Sequence, residues 1–271
     1  MTRIAVIGGG RIGEALIAGL AKAGHAAKDL VVAEQYPPRA QELAGRYGIR
    51  ATTVADAADG AHVVVIAVKP ADVDAVMVEL GKVDLDGDLE QLIVSLAAGI
   101  PTARFESKLP AGFPVVRVMP NTPMLVGEGV SAIAAGRYAT AEHLDTVRGI
   151  LGAVGQVVTV PEAQLDAVTA VSGSGPAYVF LVAEAMIESG VGLGLTRATA
   201  TELVVQTLVG SSAMLAESGS TANELRADVT SPGGTTAAAI RELERGGLRT
   251  AFNEALLAAR DRSAALGAAP E

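Results

Sequence analysis

The stretch "RIAVIGGGRIG", Arg3–Gly13, decides how the chain begins to fold. The run Ile4 to Ile7 reads as a buried strand, and three glycines end it at once. The next residues, "RIGEALIAGLAKAG", carry Ile12, Leu16, Ile17 and Leu20 at helical spacing, and Gly24 closes the helix. Gly8, Gly10 and Gly13 thus form G-x-G-x-x-G between a strand and a helix. Gly8 permits the tight turn, Gly10 lets a pyrophosphate approach the backbone, and Gly13 lets helix and strand pack closely. The helix N-terminus, at Arg11, Ile12 and Gly13, offers amide donors and a positive dipole end to phosphates. Glu34 stands at the end of the second strand, "DLVVAE". A carboxylate there accepts hydrogen bonds from a ribose 2′-hydroxyl and repels a 2′-phosphate. Arg11 and Arg39 are cations that could meet such a phosphate, so NAD and NADP both stay open as the cofactor.

Strand and helix signals alternate outward from this turn. "PPRAQELAGRYG" reads as a helix, "IRAT" as a strand, "ADAADGA" as a short helix and "HVVVIAV" as a strand buried on both faces. Helix "ADVDAVMVEL", strand "QLIVSLAAG", helix "PTARFESKL", strand "FPVVRVMP", the segment "GVSAIAAG", a helix over about Thr140–Leu151 and strand "QVVTV" follow. Such alternation implies βαβ units, hence an α/β fold: an N-terminal Rossmann doubly wound sheet over residues 1–160.

The bulk numbers set limits. Half of the 271 residues are apolar but only 3% aromatic, so the core must be built from Ala, Val, Leu and Ile. A net charge of -9 argues against a general nucleic-acid binder, which needs clustered cations. The absence of cysteine excludes disulfides, thiolate catalysis and Cys-based metal sites. His25, His62 and His143 lie far apart and read as surface or turn residues, so no metal site is expected. The N-terminus enters a strand almost at once, and the strongly apolar runs fall short of the ~20 residues that span a bilayer. A soluble cytoplasmic protein without membrane contact is expected.

Residues 161–271 read as an all-helical domain. "EAQLDAVTAVSGSGPAYVFLVAEAMIESG" is helix, a glycine–serine break, and helix, with Pro176 suited to the second helix's first turn. A long helix follows with Thr196 as N-cap, then a short one whose Thr221 and Glu224 have capping-box spacing. In "DVTSPGGTTAAAI", Asp228–Ile240, Pro232 sets the entry, the glycines free the backbone, and Thr235 or Thr236 begins the next helix. "AYVFLVAEAMI" is interrupted only by Tyr178 and Glu184, so that helix must be covered on most faces. An intertwined homodimer built on the helical halves is expected. The last lysine is Lys108, so the helical half holds no lysine to exchange an alcohol proton. That suits a substrate that arrives already activated, such as a protonated imine.

Four stretches together carry a resemblance: "GGGRIGEA", "AVKP" (Ala67–Pro70), "MPNTP" (Met119–Pro123), and "AVSGSGPAY" with "SPGGTT" in the helical half. Over essentially its whole length the chain resembles pyrroline-5-carboxylate reductases. The resemblance implies reduction of (S)-1-pyrroline-5-carboxylate to L-proline with NADPH or NADH, by interlocked dimers that assemble further, often to decamers (pentamers of dimers). It implies that Gly8 to Gly13 hold the pyrophosphate, that Ala67, Val68, Lys69 and Pro70 line the nicotinamide ribose side, and that Asn121 lies in the nicotinamide pocket. It further implies that Ser174 faces the active site, that Gly233, Gly234, Thr235 and Thr236 cradle the substrate carboxylate, and that the Thr236 hydroxyl meets the ring nitrogen. Lys69 is either an electrostatic helper at the reaction or a structural charge at a strand end. Two positions depart from the family pattern: Glu34 and Gln35 stand where Ser, Thr or Arg is common, and Val54 where Asn is common. Beside this reading stand a related imine or hydroxyacid reductase and a non-catalytic NAD(P)-binding regulatory protein.

Overall fold

Successive side chains of a strand point to opposite faces, so a continuous apolar run survives only where both faces are covered. In the computed structural model, which describes residues 2–83 and 91–268, this holds for β1 (Ile4–Ile7) and β2 (Leu30–Ala33), buried along their whole length. It fails for β3 (Arg50–Thr52), the edge strand, and holds again for β4 (Val63–Ile66) and β5 (Leu92–Ser95). With β6 (Val115–Met119), β7 (Gly129–Ala135) and β8 (Gly155–Thr159) these form one sheet in the order β3-β2-β1-β4-β5-β6-β7-β8. Ile4 and Val6 point into one apolar cluster, with Leu16, Ile17 and Leu20; Ala5 and Ile7 point into another, with Ala57, Val76 and Phe105.

The helices that supply those layers are α1 (Arg11–Lys22), α2 (Pro37–Tyr47), α3 (Val54–Ala58), α4 (Val73–Leu80), α5 (Thr102–Glu106) and α6 (Ala141–Leu151). The doubly wound architecture read from the sequence is the observed one. All pairings are parallel except β6 with β7. That exception has a simple cause: a parallel return needs a long crossover, whereas here only the short turn Thr122–Val126 and Gly127, at φ +84, join the two strands.

The chain divides into two compact units. The first runs to Ser174 and takes up the chain again from Ala259; the second is Gly175–Ala258. The first ends in α7 (Leu165–Val168) and a π-helical turn, Thr169–Gly173. The glycine–serine break is therefore not a loop: the Ser174 N–H reaches the Thr169 carbonyl at 2.8 Å, so the backbone stays wound through "SGS". From the far end of the chain, Ser263 donates to Asp166 at 2.7 Å, and Gly267 packs so closely on Gly99 that a Cβ there would lie 2.5 Å from the Gly99 carbonyl oxygen.

The second unit contains α8 (Gly175–Gly192), α9 (Arg197–Glu217), α10 (Ala222–Asp228), α11 (Thr235–Arg245) and the beginning of α12 (Leu248–Ala268). Thr196 caps α9, and Thr221 with Glu224 forms a capping box on α10, as their spacing predicts. Helix α8 buries none of its residues within the chain, and Phe180 is 67% exposed. By length and composition the helical run Glu162–Gly192 is apolar enough to cross a bilayer, its most apolar 18-residue window having a mean hydropathy of 1.3. An apolar surface of this extent demands a cover.

Candidate active site

Where strand order reverses, a doubly wound sheet opens a crevice at the carboxyl ends of its strands. Here β1 lies between β2 and β4, and a groove of about 790 Å³ opens there. It is lined by Gly8 and Gly10 after β1, Glu34 and Gln35 after β2, Thr53 and Val54 after β3, Ala67, Val68 and Lys69 after β4, and Asp72, Val76 and Glu79 beyond.

The glycines divide their work. Gly8 has φ +103, and a Cβ there would sit 2.8 Å from the Ala67 carbonyl oxygen. A Cβ on Gly13 would lie 2.0 Å from the Gly8 carbonyl oxygen, so α1 can approach the loop only without one. Gly10 is different: nothing lies within 4 Å of its would-be Cβ, and its backbone is extended and caps α1 without a side chain. The open space is on the ligand side, and the first amides of α1 point to it without intrahelical acceptors. These residues fit a dinucleotide pyrophosphate.

Gly9 is held from both sides. Its N–H donates to Glu34 Oε2 at 2.8 Å, and its carbonyl accepts from Arg39 Nε at 2.9 Å. The other Glu34 oxygen accepts the Tyr36 N–H at 2.9 Å. Arg39 also pairs with Glu14 and with Glu42, and Arg46 (2.6 Å) and the Tyr47 hydroxyl (3.0 Å) reach Glu14 as well. Burial pushes the Glu14 carboxyl up, but hydrogen bonds from Arg39 and Tyr47 outweigh it and hold the group below its usual range.

In the helical unit, Gly234 and neither threonine is the N-cap of α11. The reason is local: Gly233 turns the chain at φ +69, and the Gly234 N–H closes onto the Ser231 carbonyl at 3.0 Å. Thr235 and Thr236 become the first two helical residues, and their hydroxyls are free of capping duty. The amides of Thr235, Thr236 and Ala237 have no backbone acceptor among the described residues. Thr236 is half-buried and Thr235 exposed. Such a turn suits a carboxylate.

Residues 162–266 match the family model described as pyrroline-5-carboxylate reductase dimerisation, and residues 3–99 match one described as NADP oxidoreductase, coenzyme F420-dependent. The pyrroline-5-carboxylate reductase of Mycobacterium tuberculosis (strain H37Rv) is 54% identical, over 100% of this chain and 99% of its own. The chain belongs to the pyrroline-5-carboxylate reductase family. The structure of a family member from Coxiella burnetii matches with a TM-score of 0.93 at 37% identity, covering 99% of each chain. That of the Plasmodium falciparum enzyme, with NADP bound, matches with a TM-score of 0.86 at 28% identity, over 98% of each chain.

Among the residues singled out by sequence, Gly8, Gly10, Glu34, Ala67, Val68 and Lys69 come together along the groove. Gly13 supports the loop from behind, Ile12 packs on the core, and Arg11 is exposed outside the lining. Pro70 opens the turn Pro70–Asp72 that Lys69 precedes. Lys69 is exposed and forms no ion pair among the described residues. Asn121 lies outside the groove lining: Oδ1 accepts the Val130 N–H at 2.9 Å, and Nδ2 donates to the Ser172 carbonyl at 3.2 Å. It ties the β6–β7 turn to the π-turn that ends at Ser174. Sequence reasoning missed the two-sided grip on Gly9 and the acidic wall of Asp72 and Glu79. The signal for the first is the middle glycine of "GGG", Gly9, together with an acid and a cation five residues apart. His143 is no surface bystander: its Nδ1 accepts the Thr140 N–H at 3.0 Å and completes the cap of α6.

Proposed function

We propose that the chain reduces (S)-1-pyrroline-5-carboxylate to L-proline with NAD(P)H, the last step of proline biosynthesis. The observation that carries the reading is one chain holding both an open glycine-loop groove after β1 and, in "SPGGTT", a helix start with three amides that have no backbone acceptor among the described residues. Reduced nicotinamide supplies a hydride to C5 of the ring, and the proton of the iminium stays on the ring nitrogen. The residues then have positioning and electrostatic work to do. The amides of Thr235, Thr236 and Ala237 hold the substrate carboxylate, with Gly233 and Gly234 shaping the turn. The Thr236 hydroxyl meets the ring nitrogen. Ser174 borders the substrate, kept in place through the link from Asn121 to Ser172. Gly8, Gly10, Arg11, Ile12 and Gly13 serve the pyrophosphate; Ala67, Val68, Lys69 and Pro70 serve the nicotinamide ribose side. The charge of Lys69, which lines the groove and has no ion-pair partner among the described residues, supports an electrostatic role over a structural one.

Residues 1–160 serve the nucleotide, and residues 161–271 serve substrate and dimerisation. A second copy covers the apolar faces of α8 and α9, giving a homodimer, and dimers join as a pentamer of dimers in the cytoplasm. The test is oxidation of NADH and of NADPH by purified protein with pyrroline-5-carboxylate. Turnover with proline as product supports the reading. Absence of turnover with both nucleotides overturns it.

A further inference from the structure

We propose that Glu34 makes this chain select NADH over NADPH, an inference that rests on reading the groove as the nucleotide site. In a doubly wound sheet the adenosine ribose lies over the end of the second strand, where Glu34 follows β2. The carboxylate cannot swing aside freely, because the Gly9 and Tyr36 amides each hold one of its oxygens, at 2.8 and 2.9 Å. Each oxygen keeps a further lone pair, so the group is set to accept the ribose 2′- and 3′-hydroxyls and offers a 2′-phosphate only repulsion.

Among the described lining residues no cation stands beside Glu34 to compensate. The charged residues of the groove are Glu34, Asp72 and Glu79 against Lys69. Lys69 follows β4, and β1 intervenes between β4 and β2, so its backbone stands about 10 Å from the Glu34 strand. Arg39 is the cation nearest in sequence, but it is engaged by the Gly9 carbonyl, Glu14 and Glu42. Arg11 begins α1 outside the groove lining. A 2′-phosphate would therefore face the Glu34 carboxylate, with Arg39 already engaged, Arg11 outside the groove lining and Lys69 two strands away.

The test is equilibrium binding, by calorimetry, of ADP-ribose and 2′-phospho-ADP-ribose, and of NADH and NADPH, to the full chain. The expected result is at least tenfold tighter binding of each form lacking the 2′-phosphate, with discrimination shrinking several-fold as salt is raised. In Glu34→Gln the preference should fall at least fivefold, through weaker NADH and stronger NADPH binding. Wild-type protein that binds NADPH as tightly as NADH overturns the proposal. So does a Glu34→Gln variant that weakens both nucleotides equally, since Glu34 would then only shape the loop. The wild-type ratio and its salt dependence decide the matter even if the variant fails to fold. Failure to bind any of the four ligands removes the nucleotide reading of the groove and this proposal with it. Normal NADH selectivity without turnover of pyrroline-5-carboxylate would instead count only against the substrate assignment.

Discussion

Replacing Gly13 and Gly10 one at a time by alanine should separate folding from nucleotide binding within a single loop. The Gly13 Cβ would lie 2.0 Å from the Gly8 carbonyl oxygen and 3.4 Å from Val6 Cγ1. The first distance is more than 1 Å short of ordinary van der Waals contact, and the atom in the way is backbone, which cannot rotate aside. Overpacking of this kind costs about 1–3 kcal/mol, and the upper end applies because α1 must shift as a body. For a chain of this size ~3 kcal/mol corresponds to a Tm lower by roughly 6–12 °C. At Gly10 the new methyl meets nothing within 4 Å, and its φ of -67° suits alanine. Alanine is the poorer N-cap by ~0.5–1 kcal/mol, and the loss of chain entropy in the unfolded state offsets it by about 0.4–1 kcal/mol. Stability should thus stay within ~0.5 kcal/mol of wild type. The methyl would, however, stand where the pyrophosphate approaches, and affinity for NADH should fall at least tenfold, about 1.4 kcal/mol. Differential scanning calorimetry and nucleotide titration on the two proteins read both effects. A folded Gly10→Ala variant with wild-type affinity would refute the assignment of the open side, and a Gly13→Ala variant with unchanged Tm would refute the close-packing argument.

Phe180→Arg should leave the chain folded, since the ring is 67% exposed within it. It should raise the Kd of the proposed dimer over 100-fold by putting an unpaired charge into the apolar interface proposed for α8, at a cost of about 3 kcal/mol, read by light scattering over a dilution series. Thr236→Ala should lower kcat/KM for pyrroline-5-carboxylate about tenfold, as expected for one lost hydrogen bond of ~1–1.5 kcal/mol, with Thr235→Ala as the milder control. Unchanged kinetics at low and saturating substrate would remove Thr236 from the mechanism. Asp74 hydrogen-bonds to Arg104 and Lys108, which hold its carboxyl down at about 2. A depressed folded-state pKa stabilises above the unfolded value of 3.8 and loses that effect as pH falls from there through about 2. Because Asp74 is 36% exposed, solvent screening reduces the effect to about 0.5–1 kcal/mol. Denaturation of wild type and Asp74→Asn should therefore differ by that amount at neutral pH and converge near pH 2; a gap that persists there would refute the ion-pair account.

Much of the fold is local information, and local information survives in sequence. The apolar runs of β1 and β4, the helical spacing of Ile12 to Leu20, and the caps at Thr196 and Thr221 each state their own structure. What escaped are features that depend on partners distant in the chain. The π-turn at Thr169–Gly173 looked like a break, because glycine and serine are poor helix formers. It stays wound with support from Asn121, some fifty residues earlier, which binds the Ser172 carbonyl. The direction of β7 follows from the length of a connection, which alternation of apolar runs does not reveal. The same logic applies to the glycine loop. Three glycines in a row leave the backbone free to adopt many shapes, so the motif by itself cannot specify one. The specification comes from β2 and α2: Glu34 fixes the Gly9 N–H, and Arg39 fixes its carbonyl while being braced by Glu14 of α1. The loop's shape and the groove's charge therefore depend on the same carboxylate. A substitution at Glu34 chosen to admit a 2′-phosphate would also release one side of Gly9. Exchanging nucleotide preference should require a neutral residue at position 34 that still accepts the Gly9 amide, which is why glutamine and not alanine is the informative replacement.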